Sequence, residues 1–152
     1  MKKKLLGLCA LTIAALPLVA AARTQPGILG NPFFNTDASC FTNSGGLVAN
    51  TCSSTKTWSI PVAWDTSTAQ SGSKIVSVSG NIASGGSLSC SYVGTSPTGT
   101  ITFNVSFPSF TSGFSTKQVT VTSVPAGTFG QIFCNLSANS TSSIVGANYV
   151  QP

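Results

Sequence analysis

Gly99-Thr100-Ile101-Thr102-Phe103-Asn104-Val105-Ser106-Phe107 alternates four apolar residues (Ile101, Phe103, Val105 and Phe107) with the polar Thr102, Asn104 and Ser106. A period of two places one set on one face of an extended chain and the other set on the opposite face, as in a strand between core and water. The period recurs on both sides of this stretch. Residues 57–64 align Trp58, Ile60, Val62 and Trp64, residues 74–81 carry Val76 and Val78, and residues 87–93 carry Leu88, Cys90 and Tyr92. Further along, residues 117–124 contribute Val119 and Val121, residues 130–138 align Ile132, Cys134 and Leu136, and residues 143–150 form a weaker last strand. Between them lie turn formers such as Ser84-Gly85-Gly86, Ser96-Pro97-Thr98-Gly99 and Pro125-Ala126-Gly127. Pro61 falls on the polar face of its strand and marks an edge or a bulge. The expected fold class is all-β, a single antiparallel β-sandwich (jelly-roll or Ig-like) of about seven to eight strands.

The chain opens as an export signal. Lys2, Lys3 and Lys4 form a basic start, an apolar run broken by Pro17 follows, and Ala20, Ala21 and Ala22 supply small residues for cleavage near Ala22. Residues 1–22 are therefore read as a cleaved signal peptide, residues 23–39 as an extended N-terminal arm and residues 40–152 as the β-sandwich. No integral membrane span is expected after cleavage. The compact basic start has a bacterial character, so the expected destination is the periplasm, the cell surface or the medium.

Cysteine usage agrees with export. Of five cysteines, Cys9 leaves with the signal. Cys40, Cys52, Cys90 and Cys134 remain, an even set that reads as two disulfides in an oxidising compartment. Sequence alone permits three pairings. Cys90 and Cys134 each fall in phase with the apolar face of their strand, which favours joining them and leaves Cys40–Cys52 as a local staple.

Composition narrows the chemistry sharply. The chain has no His and no Glu, and Asp37 and Asp65 are its only acidic side chains. Side-chain acid–base and metal chemistry draws mostly on the missing types. No catalytic residue, metal or cofactor is expected, and the chain is read as no enzyme. Ser53-Ser54-Thr55-Lys56 matches the S-x-x-K of penicillin-binding enzymes, but it lacks the α-rich context and the K-T-G strand that such chemistry needs. Once the signal is removed, Arg23, Lys56, Lys74 and Lys117 are the remaining cations. Four scattered cations make no basic patch, so nucleic acid is not an expected partner.

Two groups of aromatics are candidate binding surfaces. Trp58 and Trp64 suit stacking on sugar rings, although their phase with Ile60 and Val62 points more simply to the core. Phe107, Phe110 and Phe114 sit in or beside a long inter-strand connection and mark an interaction patch if exposed together. The arm, with Pro26, Gly27, Gly30, Asn31 and Pro32, is expected to form no regular element. It would pack along the sandwich or pair with a neighbouring subunit. These features lead to the expectation of a non-catalytic secreted or cell-surface β-sandwich with a structural, adhesive or protein-interaction role. The alternative is a carbohydrate-binding module that uses surface aromatics. Expected partners are accordingly a second copy, a surface protein or a glycan.

The order of the Cys40/Cys52 pair, Ile60-Pro61-Val62, Cys90 and Ile132-Phe133-Cys134-Asn135-Leu136 resembles that of a set of small bacterial exported proteins. That resemblance spans most of the mature chain and implies no activity. Chaperone–usher pilin subunits are similar in being Ser/Thr-rich, disulfide-bonded and all-β, but residues 23–39 lack their long alternating donor strand.

Overall fold

The structure is a computed structural model that describes residues 21–62 and 70–151. Most of the expected signal peptide, as well as Trp64 and Asp65, lies outside the described residues. The strands are β1 (Ala21–Pro26), β2 (Asn31–Pro32), β3 (Phe41–Ser44), β4 (Leu47–Asn50), β5 (Lys56–Val62), β6 (Gln70–Ile82), β7 (Leu88–Thr95), β8 (Ile101–Ser106), β9 (Gly113–Val124), β10 (Phe129–Leu136) and β11 (Ser142–Gln151). They form two antiparallel sheets, one ordered β3-β4-β11-β6-β9 with β1 also on β11, the other β2-β5-β10-β7-β8.

From β4 onward the chain crosses between layers at every connection except the one from β7 to β8, so that β4-β11-β6-β9 faces β5-β10-β7-β8. This is the jelly-roll order, and it settles which of the two expected sandwiches forms. The three additional short strands, β1 to β3, come from the N-terminal segment. The last strand is the largest departure from its expected weight. β11 lies inside its sheet, with β6 along one edge and both β4 and β1 end to end along the other.

The core fills the space between the layers as the period-two pattern requires. Trp58, Ile60 and Val62 of β5, Leu88, Cys90 and Tyr92 of β7, and Ile132, Cys134 and Leu136 of β10 are buried against Val76, Val78, Val119, Val121, Ile144 and Tyr149 of the other sheet. The expected bridges are both present. Cys90 and Cys134 are directly opposed residues of β7 and β10 in one sheet, while Cys40–Cys52 closes the loop before β5. At the same end, the buried Asn50 side chain ties the two layers together. Its Nδ2 donates to the carbonyls of Ser54 (2.8 Å) and Leu136 (3.0 Å), and its Oδ1 accepts from the Cys52 N–H at 3.0 Å.

Two local details set the outer surface. The Phe33 N–H donates to the Thr57 carbonyl at 2.9 Å, so the backbone groups of Thr57, Ser59 and Pro61 turn toward β2. β2 pairs only with Trp58 and Ser59, and the missing N–H of Pro61 therefore falls on an edge that no described strand occupies. In β8 the register passes from Gly94↔Phe103 to Thr95↔Ile101, which makes Thr102 the extra residue of a β-bulge. The bulge inverts the phase of Ile101, which was expected beside Phe103 in the core. Ile101 instead stands on the outer face and is 62% exposed.

The arm also differs from its reading as a segment without regular structure. β1 zips onto β11 from Ala21↔Gln151 to Pro26↔Gly146, and β2 adds to β5. Pro26 tolerates this because it ends its strand. Between them the chain passes so close to Trp58 that a Cβ on Gly30 would collide with the Ser59 carbonyl and the Trp58 indole nitrogen.

Candidate functional site

The outer face of the five-stranded sheet is built from the residues that alternate with the core set. Strand register arranges them in four rows: Thr57–Asn135–Ser89, Ser59–Phe133–Ser91–Ser106, Pro61–Gln131–Val93–Asn104, and Phe129–Thr95–Ile101. None of these side chains is charged. Apolar and aromatic side chains (Phe133, Phe129, Val93, Ile101) stand among Ser, Thr, Asn and Gln, groups that both donate and accept hydrogen bonds. Thr57 Oγ1 donates to Asn135 Oδ1 at 2.6 Å, which holds the amide across the sheet.

The arm completes this surface. β2 and the Phe33–Thr57 bond deliver Phe33 and Phe34, which are 51% and 57% exposed. The two rings meet edge to face at 4.7 Å, and Phe33 meets Phe133 in the same way at 5.3 Å. A 3-10 turn over Asn35–Cys40 follows, where the Asp37 carboxylate accepts from Lys56 Nζ at 2.6 Å. This ion pair clamps the arm to the start of β5 and pairs the charges of both residues. It also commits the lysine of the S-x-x-K match, whose Ser53 is exposed in the bend after Cys52.

Three hollows open on this side and at the adjoining end of the sandwich. The first, about 370 Å³, lies among Phe33, Phe34, Thr57, Val93, Thr95, Ile101 and Phe133. The second, about 220 Å³, is lined by Ser89, Cys90, Ser91, Ser106, Phe107 and Asn135. The third is a cleft of about 510 Å³ between the turn at residues 83–87 and the connection at residues 107–112, with five serines and Phe110 in its walls. All fall within or close to the range of about 300–1,000 Å³ usual for ligand sites. Among the described residues, no three His, Cys, Asp or Glu side chains cluster as a metal site would require. No helix among them is long and apolar enough to cross a membrane.

The aromatics singled out from sequence are distributed differently from one another. Trp58 is buried, its ring 4.8 Å from that of Phe41 and its Nε1 donating to the Gly27 carbonyl at 2.9 Å. Phe107 is buried, Phe110 is half-buried against the core, and Phe114 is 66% exposed on β9 opposite Asn81. These three phenylalanines therefore form no common exposed patch, and Trp64 lies outside the described residues. The aromatic cluster on the outer face consists instead of the exposed Phe33 and Phe34 against the half-buried Phe133. Its signal in the sequence was Phe133 itself, a large ring on the polar phase of the otherwise regular Ile132/Cys134/Leu136 strand.

No protein-family model and no curated protein sequence matches the chain. Solved structures of similar fold do exist. One is the C-terminal CBM6 of LamC, a marine laminarinase from Zobellia galactanivorans, with a TM-score of 0.51 at 14% identity over 86% of this chain and 100% of that one. Another is the enzymatically active domain of tailspike protein 4 of bacteriophage CBA120, with a TM-score of 0.50 at 9% identity over 87% of this chain and 18% of that one. At such identities the likeness concerns the fold. The expectation of a structural, adhesive or protein-interaction role is corrected here. The sandwich shares its architecture with a carbohydrate-binding module, and the arm, expected to pack along the sandwich or to pair with a neighbouring subunit, pairs within its own chain on β11 and β5.

Proposed function

We propose that this chain is a non-catalytic carbohydrate-binding module that holds a neutral glycan on the outer face of its five-stranded sheet. The observation that carries the reading is the Phe33–Phe34–Phe133 cluster, two exposed rings against a half-buried one, on a face without charge and bordered by Asn135, Gln131, Thr57 and Ser59. A pyranose ring has an apolar C–H face and a rim of hydroxyls. It is recognised by rings that stack on the first and by neutral donor–acceptor side chains that bond the second. The shared fold with a carbohydrate-binding module of a laminarinase supports the same reading and makes laminarin the first polysaccharide to try.

The absence of His and Glu supports a role in binding rather than turnover. Two disulfides are consistent with an exported protein. We place it in the bacterial periplasm, on the cell surface or in the medium, on the strength of the Lys2–Lys4 start.

The test is a glycan array and affinity electrophoresis on laminarin and other neutral polysaccharides, with wild type and Phe133→Ala compared side by side. Retardation by at least one neutral glycan that disappears in Phe133→Ala is the expected result. A wild-type protein that binds no glycan overturns the proposal.

A further inference from the structure

We infer that the glycan site extends well past Phe133, running along β7 through the serine-lined hollow into the end cleft at Phe110, so that its ligand is an internal stretch of a linear, uncharged polysaccharide. This rests on the glycan reading and specifies which glycans that reading admits.

Continuity of the surface is the first argument. Phe133, which lines the aromatic hollow, is directly opposite Ser91, which lines the second hollow. Asn135 of the second hollow is bonded to Thr57 of the first. The second hollow and the end cleft share Ser89 and Phe107. From Thr95 to Ser89 the track follows one strand for about 20 Å at the rise of an extended chain, and the cleft adds to that. A single sugar ring covers only a part of such a length.

The lining is the second argument. The track begins with apolar and aromatic groups at Phe33, Phe34 and Ile101, becomes hydroxyl-rich at Ser89, Ser91 and Ser106, and ends on Phe110 among serines. Stacking surfaces separated by a hydrogen-bonding stretch suit successive units of one chain better than one compact ligand. No residue lining any of the three hollows is charged. A uronic or sialic carboxylate held there would lose its hydration without gaining a cation, which disfavours acidic sugars.

The test is calorimetric titration of the full mature chain with neutral linear oligosaccharides of two to six units from the β-1,3-glucan, β-1,4-glucan and β-1,4-mannan series, with oligogalacturonate as the anionic control. The expected result is affinity for one neutral series that rises at least tenfold from dimer to hexamer, with none for the anionic series. Ser109→Trp, which fills the cleft, is expected to weaken hexamer binding about tenfold and leave the dimer unchanged. Ser84→Tyr, from the opposite wall, provides the same comparison, and an unaltered melting temperature shows that each variant is folded.

Equal affinity for dimer and hexamer, or hexamer binding indifferent to both fillings, overturns the extended site while leaving the glycan reading intact. Anionic oligomers that bind as tightly as neutral ones overturn the neutral class. A protein that binds no oligomer or polysaccharide overturns the glycan reading itself. So does a concentration-dependent dimer that is abolished by Phe133→Ala, since a second copy would then occupy the face.

Discussion

The ring of Phe33 meets the ring of Phe133 edge-on at 5.3 Å, although one comes from the N-terminal segment and the other from β10, the central strand of the five-stranded sheet. The exposed aromatic surface is therefore a joint product of β2 and β10, and it exists only while the arm stays docked. Removing either ring is expected to weaken glycan binding with little loss of stability, because Phe33 is half exposed and Phe133 lies on the outer face. For Phe33→Ala we expect about a tenfold rise in Kd, equivalent to about 1.4 kcal/mol, measured by titration alongside a thermal melt.

The ion pair between Lys56 and Asp37 holds that arm. In Asp37→Ala the Lys56 ammonium stays largely covered without its partner, at an expected cost of about 1–3 kcal/mol. Part of that is offset by solvent, since the lysine side chain is 23% exposed. Glycan affinity should fall together with stability, because Phe33 and Phe34 lose their anchor. A double-mutant cycle with Lys56→Ala checks this, with the expectation that the two losses fail to add.

Much of this architecture is readable from the residues alone. The inward phase of Cys90 and Cys134 led to their pairing. The turn formers Ser84-Gly85-Gly86 and Pro125-Ala126-Gly127 lie where the chain reverses, with Gly85 and Gly127 at φ of 78° and 73°. The strand faces follow alternation over most of their length, with breaks at Ile101, at Val124 and at the register shift of β11 between Ile144 and Gly146. Ile101 escapes because a bulge is a local insertion in one strand relative to its neighbour, and alternation within a single strand cannot register it. The aromatic surface was hidden for another reason. Phe33 and Phe34 belong to a segment whose Pro and Gly content reads as irregular, and only the pairing of Asn31 and Pro32 with β5 brings their rings to Phe133. β11 looked weak because Gly146 and Ala147 dilute its pattern, yet small residues suit a strand flanked on both edges.

Asn139 and Ser140 turn the chain between β10 and β11 with φ of 58° and 57°, both left-handed. A side chain is disfavoured there and glycine is not. Ser140→Gly is expected to stabilise the protein by about 0.5–1 kcal/mol after the entropy of the unfolded glycine is counted. A rise in melting temperature by differential scanning calorimetry, with unchanged glycan affinity, is the check.

Trp58 joins the core to the arm through its bond to the Gly27 carbonyl. Trp58→Phe keeps an aromatic ring in place but removes one of two donors to that carbonyl, which still accepts from the Gly30 N–H at 3.1 Å, so the expected loss is about 0.5–1.5 kcal/mol. Urea unfolding monitored by the remaining tryptophan signal measures it, and a midpoint equal to wild type would show that the bond contributes nothing.

The Cys90–Cys134 bridge faces inward, with its two residues 5% and 0% exposed, on the side of the sheet opposite the aromatic surface. That burial leaves a small reductant in solution little access to those sulfurs while the layers remain closed. Thiol release from this pair is therefore slaved to global opening of the sandwich. At saturating reductant its rate becomes a clock for how long each molecule persists in its working shape.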